Sequence, residues 1–145
     1  MFTGLFNNPI KKIMFEDIQT AIRNPNKYIL INTLPSSEQN CLIVNTIPDI
    51  SEEKFINDLI NKYRLKEHIF IVYGRNTGDD NAEKKYKQLL NLGFTEVYLY
   101  PGGLFEWLLL QDIYGRDEFP TTSRMLDILK YKPHKLFENY FHVPK

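Results

Sequence analysis

The sequence predicts a single α/β domain with a mainly parallel, five-stranded sheet and helices on both faces. Apolar runs typical of strands alternate along the chain with amphipathic runs typical of helices. The strand-like runs do not alternate polar and apolar residues, as expected for strands covered on both faces. The chain has 145 residues, of which 43% are hydrophobic and 25% charged, so it is long enough to bury one core. One domain therefore spans residues 1–145.

The first half of the chain supplies three strand-like runs and two helical runs. Asn24 and Pro25 end the first helical run, and Ser51 is suited to cap the second. Glu52 and Glu53 would then lie in the first turn, where carboxylates complement the helix dipole. The second helix is expected to present Phe55, Leu59, Ile60 and Tyr63 on one side. The predicted elements are a strand at 13–15, a helix at 16–23, strands at 28–34 and 41–47, and a helix after residue 51.

The stretch from residue 68 to residue 100 forms one β-loop-α-β unit. The predicted elements are a buried strand at 69–73, a polar loop at 74–80, a helix at 81–92 that Gly93 ends, and a strand at 96–100. In open α/β sheets, ligands collect at the carboxyl ends of the strands. A site, if present, is therefore expected in the loop after Tyr73.

The remainder of the chain adds one core helix and a carboxyl-terminal extension. Gly102 and Gly103 introduce a helix that Gly115 is placed to end. Thr121 or Thr122 would cap a last helix through residue 130. Residues 11–115 are the expected core, and residues 119–145 form a helical and aromatic extension.

The β-loop-α-β unit, followed by Gly102-Gly103 and Trp107, resembles the rhodanese family. The resemblance implies a small α/β sulfurtransferase fold whose sulfur-carrying cysteine is the first residue of the loop. In this sequence Gly74 stands at that position. The family's Asp-x-Arg signature also falls on Asn32-Thr33-Leu34, and its Gly-His-Ile-Pro-Gly-Ala segment falls on residues 40–45. The resemblance therefore implies no catalytic residue, only a vestigial loop formed by Gly74, Arg75, Asn76, Thr77, Gly78 and Asp79.

The glycine at position 74 bears directly on the chemistry that the resemblance implies. Sulfur transfer requires a thiolate that attacks a donor sulfur and holds it as a persulfide, and glycine has no nucleophile. Asp79 and Asp80 would also offset the attraction of the following helix start for anions. The sequence therefore predicts a catalytically inactive rhodanese-like domain that binds a protein or regulates one. The alternative is a thiosulfate or persulfide sulfurtransferase, or another enzyme, that uses the same loop pocket.

Other residues with reactive or ligating groups have structural interpretations. Cys41 is expected to be a small buried residue, although sulfur transfer through it stays an alternative. Arg75 is expected to pair with Asp79 or Asp80, which also cap the helix, and Thr77 to serve the turn. Gly74 and Gly78 are expected to take positive φ angles. The three histidines, His68, His134 and His142, lack ligand spacing, so neither a metal nor a cofactor is expected.

Composition limits the classes of partner and the compartment. Lys plus Arg and Asp plus Glu number 18 each, so no overall field favours nucleic acid or an anionic membrane. The sequence has one cysteine, and it shows neither a signal-like start nor an apolar run long enough to cross a membrane. These features favour an intracellular, cytoplasmic protein. The expected partner is an unknown protein or a second copy of the chain. The extension carries four apolar residues that must cover either the domain itself or a second copy of the chain. They are Met125, Leu126, Ile128 and Leu129.

Overall fold

The computed structural model describes residues 9–137, which contain a parallel three-stranded sheet in the order β1-β2-β3. The strands are β1 (Tyr28–Asn32), β2 (Ile69–Tyr73) and β3 (Val97–Tyr100). The α-helices are α1 (Phe15–Ile22), α2 (Asp49–Asn61), α3 (Asp80–Asn91) and α4 (Gly103–Tyr114). Two 3-10 helices lie at Ser36–Glu38 and Ile128–Tyr131. In the central pairing, Leu30 of β1 lies opposite Ile71 of β2, and Ile71 lies opposite Tyr98 of β3.

The expected count of five strands is wrong for the described residues. Two further segments lie beside the sheet with one parallel bridge each. Lys12, just before the strand predicted at 13–15, pairs with Leu99 of β3, and Phe15 already begins α1. Thr46, inside the strand predicted at 41–47, pairs with Leu30 of β1. Asn45 has a φ of 67°, which turns the chain immediately before Thr46. The apolar run at 41–47 therefore bends and cannot form a ladder.

The sheet is covered by helices on both faces, as the sequence predicted. Side chains of β2 point alternately to the two sides, as in any strand. Ile71 and Tyr73 belong to a core cluster with α1 and α4, whereas Phe70 and Val72 belong to a second cluster with α2 and α3. This two-sided burial explains why the strand is apolar without alternation.

The four α-helices begin and end close to the predicted positions, except at the start of α2. This helix starts at Asp49 after Pro48, so Ser51 lies inside the first turn and is not its N-cap. Its buried side chains are Ile56 and Leu59, whereas Tyr63, expected on the same side, follows the helix and is 91% exposed. No helix in the part of the chain that the structure describes is long and apolar enough to cross a membrane.

The extension does not form the helix that was predicted to run through residue 130. Its first residues instead run antiparallel to the segment before α2, with a bridge between Ile43 and Thr121. The Thr122 amide donates to the Leu42 carbonyl at 2.8 Å, and the Leu42 amide donates to the Thr122 hydroxyl at 3.0 Å. Because the backbone here pairs with a distant segment, it is not available for helical hydrogen bonds.

Packing of the extension against the domain is carried by a few large side chains. Phe119 is buried, and its ring meets that of Trp107 edge-on with centroids 5.0 Å apart. The Trp107 indole also donates to the Pro120 carbonyl at 3.1 Å. Tyr131 is fully buried, but Leu126 is 88% exposed. The extension therefore packs on its own domain through its aromatic residues, and only part of its apolar surface is covered.

Candidate functional site

The loop at residues 74–79 leaves the carboxyl end of β2, the central strand, and leads into α3. The start of α4 holds it in place. The Leu104 amide donates to the Gly74 carbonyl at 2.9 Å, and the Phe105 amide donates to the Arg75 carbonyl at 2.8 Å. First-turn amides have no partner within their own helix, so these two bonds satisfy both the helix and the loop.

The close approach of α4 to the loop depends on Gly103. Its φ is +66°, a conformation that L side chains rarely adopt. A Cβ at this position would lie 2.6 Å from the Gly74 carbonyl oxygen and 2.9 Å from the Arg75 carbonyl carbon. Both contacts are with backbone, which cannot rotate away. Gly103 therefore sets the distance between helix and loop.

Gly103→Ala is expected to destabilise the protein by about 2–4 kcal/mol, because left-handed strain adds to the steric clash with the loop backbone. The measurement is urea unfolding of the variant and the wild type. Gly115→Ala is the matched control: Gly115 also has a positive φ, of 101°, but a Cβ there would meet nothing within 4 Å. A loss below about 1 kcal/mol in Gly103→Ala would show that neither the left-handed conformation nor the close approach constrains Gly103.

The carboxylate of Asp79 occupies the interior of the loop. Its Oδ2 accepts from the Arg75 amide at 3.0 Å, and its Oδ1 accepts from the Asn81 amide at 3.0 Å, which caps α3 as predicted. A Cβ at Gly74 would lie only 2.4 Å from Asp79 Oδ2 and 3.0 Å from the Thr33 hydroxyl. The space that a side chain at position 74 would need is thus filled by an internal carboxylate.

This packing corrects the expectation for the loop glycines. The glycines with positive φ in the described residues are Gly93, Gly103 and Gly115, and neither Gly74 nor Gly78 is among them. The constraint at Gly74 is one of space, set by the Asp79 side chain, and not one of backbone conformation.

The Arg75 side chain pairs with a distant carboxylate. The expectation that it pairs with Asp79 or Asp80 is wrong. Its guanidinium forms an ion pair with Glu38 at 2.8 Å. It also donates to the Lys130 carbonyl and lies 5.4 Å from the centre of the Tyr131 ring. Arg75 thus links the loop both to the 3-10 helix after β1 and to the carboxyl-terminal extension.

Residues 128–134, which we call the strap, lie across the loop. Besides the Arg75 contacts, the Asn76 side-chain amide donates to the Tyr131 carbonyl at 2.8 Å. Burial raises the pKa of the Tyr131 phenol, so the hydroxyl stays protonated. That hydroxyl and Glu38 Oε1 are buried and accept or donate no hydrogen bond within the described residues. The strap is therefore held by packing and by Arg75 more than by complete polar pairing.

Asn76, Thr77 and Gly78 form the outer turn of the loop. Asn76 Oδ1 accepts from the Gly78 amide at 2.9 Å, an Asx turn, while Thr77 and Gly78 are exposed. This agrees with the turn interpretation of Thr77.

Comparison with solved structures identifies the architecture. A single-domain sulfurtransferase from Saccharomyces cerevisiae matches with a TM-score of 0.53 at 19% identity, covering 79% of this chain and 98% of that one. A yeast protein tyrosine phosphatase of the rhodanese family matches with a TM-score of 0.53 at 12% identity, covering 80% and 94%. The chain has the rhodanese fold.

Another protein with a similar structure is the As-Sb reductase of Leishmania major, with a TM-score of 0.52 at 22% identity over 73% of this chain and 79% of that one. No family model and no curated protein matches the chain by sequence.

Cys41 lies outside the loop of this rhodanese fold. It is fully buried, as expected of a small apolar residue, and its thiol donates to the Ser123 carbonyl at 3.5 Å. The neighbouring Tyr73 hydroxyl accepts from the Ile43 amide at 3.1 Å and lies 2.8 Å from the Thr46 hydroxyl. Burial raises the pKa of Tyr73, so this hydroxyl stays protonated.

Histidine, cysteine and carboxylate side chains are dispersed in the described residues. Within residues 9–137, no three of them come close enough to hold a metal ion. His68 hydrogen-bonds the Asn26 carbonyl at 2.9 Å, and His142 lies outside the described residues. His134 lies near the loop, where it lines a cavity.

That cavity, of about 510 Å³, lies between the loop, the start of α3 and the strap. Sequence reasoning placed the site at the loop but missed the strap, because the residues that join them are 55 positions apart. Nothing local in the sequence signals such a contact. The lining residues are Arg75, Asn76, Gly78, Asp79, Asp80, Asn81, Lys84, Leu129, Lys130, Lys132 and His134.

Proposed function

We propose that the chain is a catalytically inactive rhodanese-fold module that acts by binding, as a protein-binding or regulatory domain, and not by sulfur transfer. The observation that carries the proposal is the pairing of Gly74 with Asp79. The nucleophile position of the fold has no side chain, and a carboxylate lies 2.4 Å from where its Cβ would be. That carboxylate also accepts a hydrogen bond from the Arg75 amide. The amide would otherwise be free to bind an anionic sulfur donor.

The related structures include a sulfurtransferase, a reductase and a phosphatase, so the fold itself is compatible with enzymes. In this chain an enzyme would have to use Cys41 or a different reaction in the same pocket. Cys41 is fully buried, and its thiol is directed to the Ser123 carbonyl. The geometry therefore favours binding over catalysis.

The wild-type protein is expected to convert thiosulfate and cyanide to thiocyanate no faster than buffer, because its one cysteine, Cys41, is fully buried. Thiocyanate formation at saturating thiosulfate is the measurement, and Cys41→Ser is the matched variant, expected to give the same background rate. Turnover that disappears in Cys41→Ser would establish the enzymatic alternative. Turnover that persists in that variant would show that another group performs the chemistry.

Binding to a second copy is one form of the proposal that can be tested without knowing a partner. Several large apolar side chains of the extension are exposed, among them Leu126, Leu129 and Phe137. If they form a self-association surface, light scattering will give a mass that rises with concentration and falls to the monomer mass in Leu126→Ser/Leu129→Ser. A constant monomer mass would leave a different protein as the partner.

A further inference from the structure

A groove of about 420 Å³ runs between α2 and α3, on the face of the sheet opposite α1 and α4. Ile56 of α2 and Leu89 of α3 line it and are buried, whereas Leu92, just after α3, lines it and is 42% exposed. Ile50 is 91% exposed and lies seven residues before Asn57, a lining residue, so both share one face of α2. The groove therefore presents apolar side chains that the described residues leave uncovered.

The lining of this groove carries an excess of negative charge. Its charged groups are three carboxylates and one lysine, which leaves a formal charge of −2. The lysine, Lys85, is paired with one of the carboxylates, Glu52, at 2.5 Å. The other two, Asp49 and Glu53, belong to no ion pair within residues 9–137. The groove is therefore complementary to a segment that is both apolar and basic.

Residues 129–137, which we call the basic segment, have both of these properties. The segment contains three lysines and no aspartate or glutamate, so its formal charge is +3 with the histidine neutral. Lys130 and Lys132 form no ion pair in the part of the chain that the structure describes. Three apolar side chains of the segment are exposed, so they do not fill the groove of their own domain. They are Leu129, Leu136 and Phe137, with exposed fractions of 63%, 70% and 84%.

The groove and the basic segment lie on the same side of the domain, along α3. The cavity between the loop and the strap is lined by Lys132 of the segment and by Asn81 and Lys84 of α3. A second cavity, of about 430 Å³, is also lined by Asn81 and Lys84 and extends to Lys85 and Gln88. Lys85 and Gln88 in turn line the groove. Because the two surfaces adjoin, a two-fold axis between them can bring each basic segment onto the groove of another copy.

We propose that the chain forms a two-fold dimer in which the basic segment of each copy occupies the groove between α2 and α3 of the other. Lys132 lies against Glu53 of the second copy, and the exposed apolar side chains of the segment cover those of the groove. Each copy donates one segment and accepts one, so the contact is made twice and the assembly closes. The inference rests on the proposed function, because it names a second copy as the protein that the module binds.

The test measures the mass of the full chain by sedimentation at rising protein concentration and constant ionic strength. The wild-type mass should rise from that of a monomer to that of a dimer and no further. Glu53→Lys and Lys132→Glu should each raise the dimer dissociation constant about 10-fold or more, because like charges then meet at both contacts. Asp58→Lys is the matched control on α2, since Asp58 pairs with Lys54 at 3.1 Å and does not line the groove. It should change the constant less than about 2-fold.

An equimolar mixture of Glu53→Lys and Lys132→Glu gives the decisive result. In a mixed dimer one contact is the native one and the other has its two charges exchanged, so both contacts are attractive. The mixture should therefore dimerise more tightly than either variant alone. A mixture no tighter than its components, or a wild-type dimer that neither reversal weakens, would overturn the inference. Thermal melting verifies that each variant is folded.

The same samples separate this inference from the proposed function. Incubation with thiosulfate and cyanide measures turnover independently of the mass. A wild-type chain that stays monomeric at every concentration and gives no turnover overturns only the dimer, and a different protein is then the partner of the module. Thiocyanate formation above the buffer rate overturns the non-catalytic function, whatever the mass.

Discussion

Phe119→Ala is expected to lower the free energy of unfolding by about 3–5 kcal/mol, the usual cost of removing a buried aromatic ring. Phe119 is 3% exposed and packs edge-on against Trp107, whose own side chain is fully buried. The truncation would leave a void at the junction of α4 and the extension. At about 3 °C per kcal/mol for a chain of this size, the melting temperature should fall by about 10–15 °C.

Phe137→Ala supplies the matched control, since Phe137 belongs to the same extension but is 84% exposed. Its effect should stay within about 0.5 kcal/mol. Calorimetry or urea unfolding measures both variants. The prediction addresses whether the extension is part of the fold or an arm for a second copy: an arm would leave the monomer's stability unchanged in Phe119→Ala and alter only its mass.

Gly74→Cys is expected to leave sulfur transfer at background, even though it places a thiol where the resemblance to the rhodanese family implies the nucleophile. The new Cβ would lie 2.4 Å from Asp79 Oδ2, so the loop must distort or the carboxylate must move. A carboxylate that stays nearby raises the pKa of the thiol and repels an anionic donor. The Arg75 amide also remains occupied by Asp79.

Gly74→Cys/Asp79→Gly removes these obstacles together. Glycine at an N-cap costs only a few tenths of a kcal/mol relative to aspartate, so α3 should persist. The thiol should then react with a neutral alkylating reagent about 10-fold faster at pH 7 than in Gly74→Cys, because loss of a neighbouring carboxylate lowers its pKa by about one unit or more. Alkylation rates across pH give the thiol pKa directly.

The control for this pair is Gly74→Cys/Asp80→Asn. Asp80 is exposed, and it is Asp79 whose carboxylate meets the Gly74 position. Neutralising Asp80 should change the alkylation rate less than 3-fold, as expected for a screened surface charge. Full reactivity in Gly74→Cys alone would mean that Asp79 does not obstruct the position. If both double variants raised the alkylation rate equally, the obstruction would come from the negative charge of the loop as a whole and not from the contact with Asp79.

The sequence by itself determined the layered α/β architecture, because the relevant signals are local. Continuous apolar residues at 28–31 and in Ile69–Tyr73 indicate burial on both faces, and helix boundaries follow from residues such as Gly93 and Gly115. The absence of a nucleophile at Gly74 is likewise a property of the sequence. Asp79 as an N-cap was predictable for the same reason, since its partner, the Asn81 amide, lies two residues away.

The tertiary structure decided what depends on distant contacts. Propensity suggested a strand at 41–47 and a helix through residue 130, yet the chain turns at Asn45 and the pairing of Leu42 with Thr122 competes with the helix. The partner of Arg75 is Glu38, 37 positions away, and not the adjacent aspartates that the sequence favoured. The strap lies over the loop because the Arg75 and Asn76 side chains reach carbonyls 55 residues further along the chain. Such contacts depend on how the elements pack in three dimensions, and the local sequence does not predict that packing.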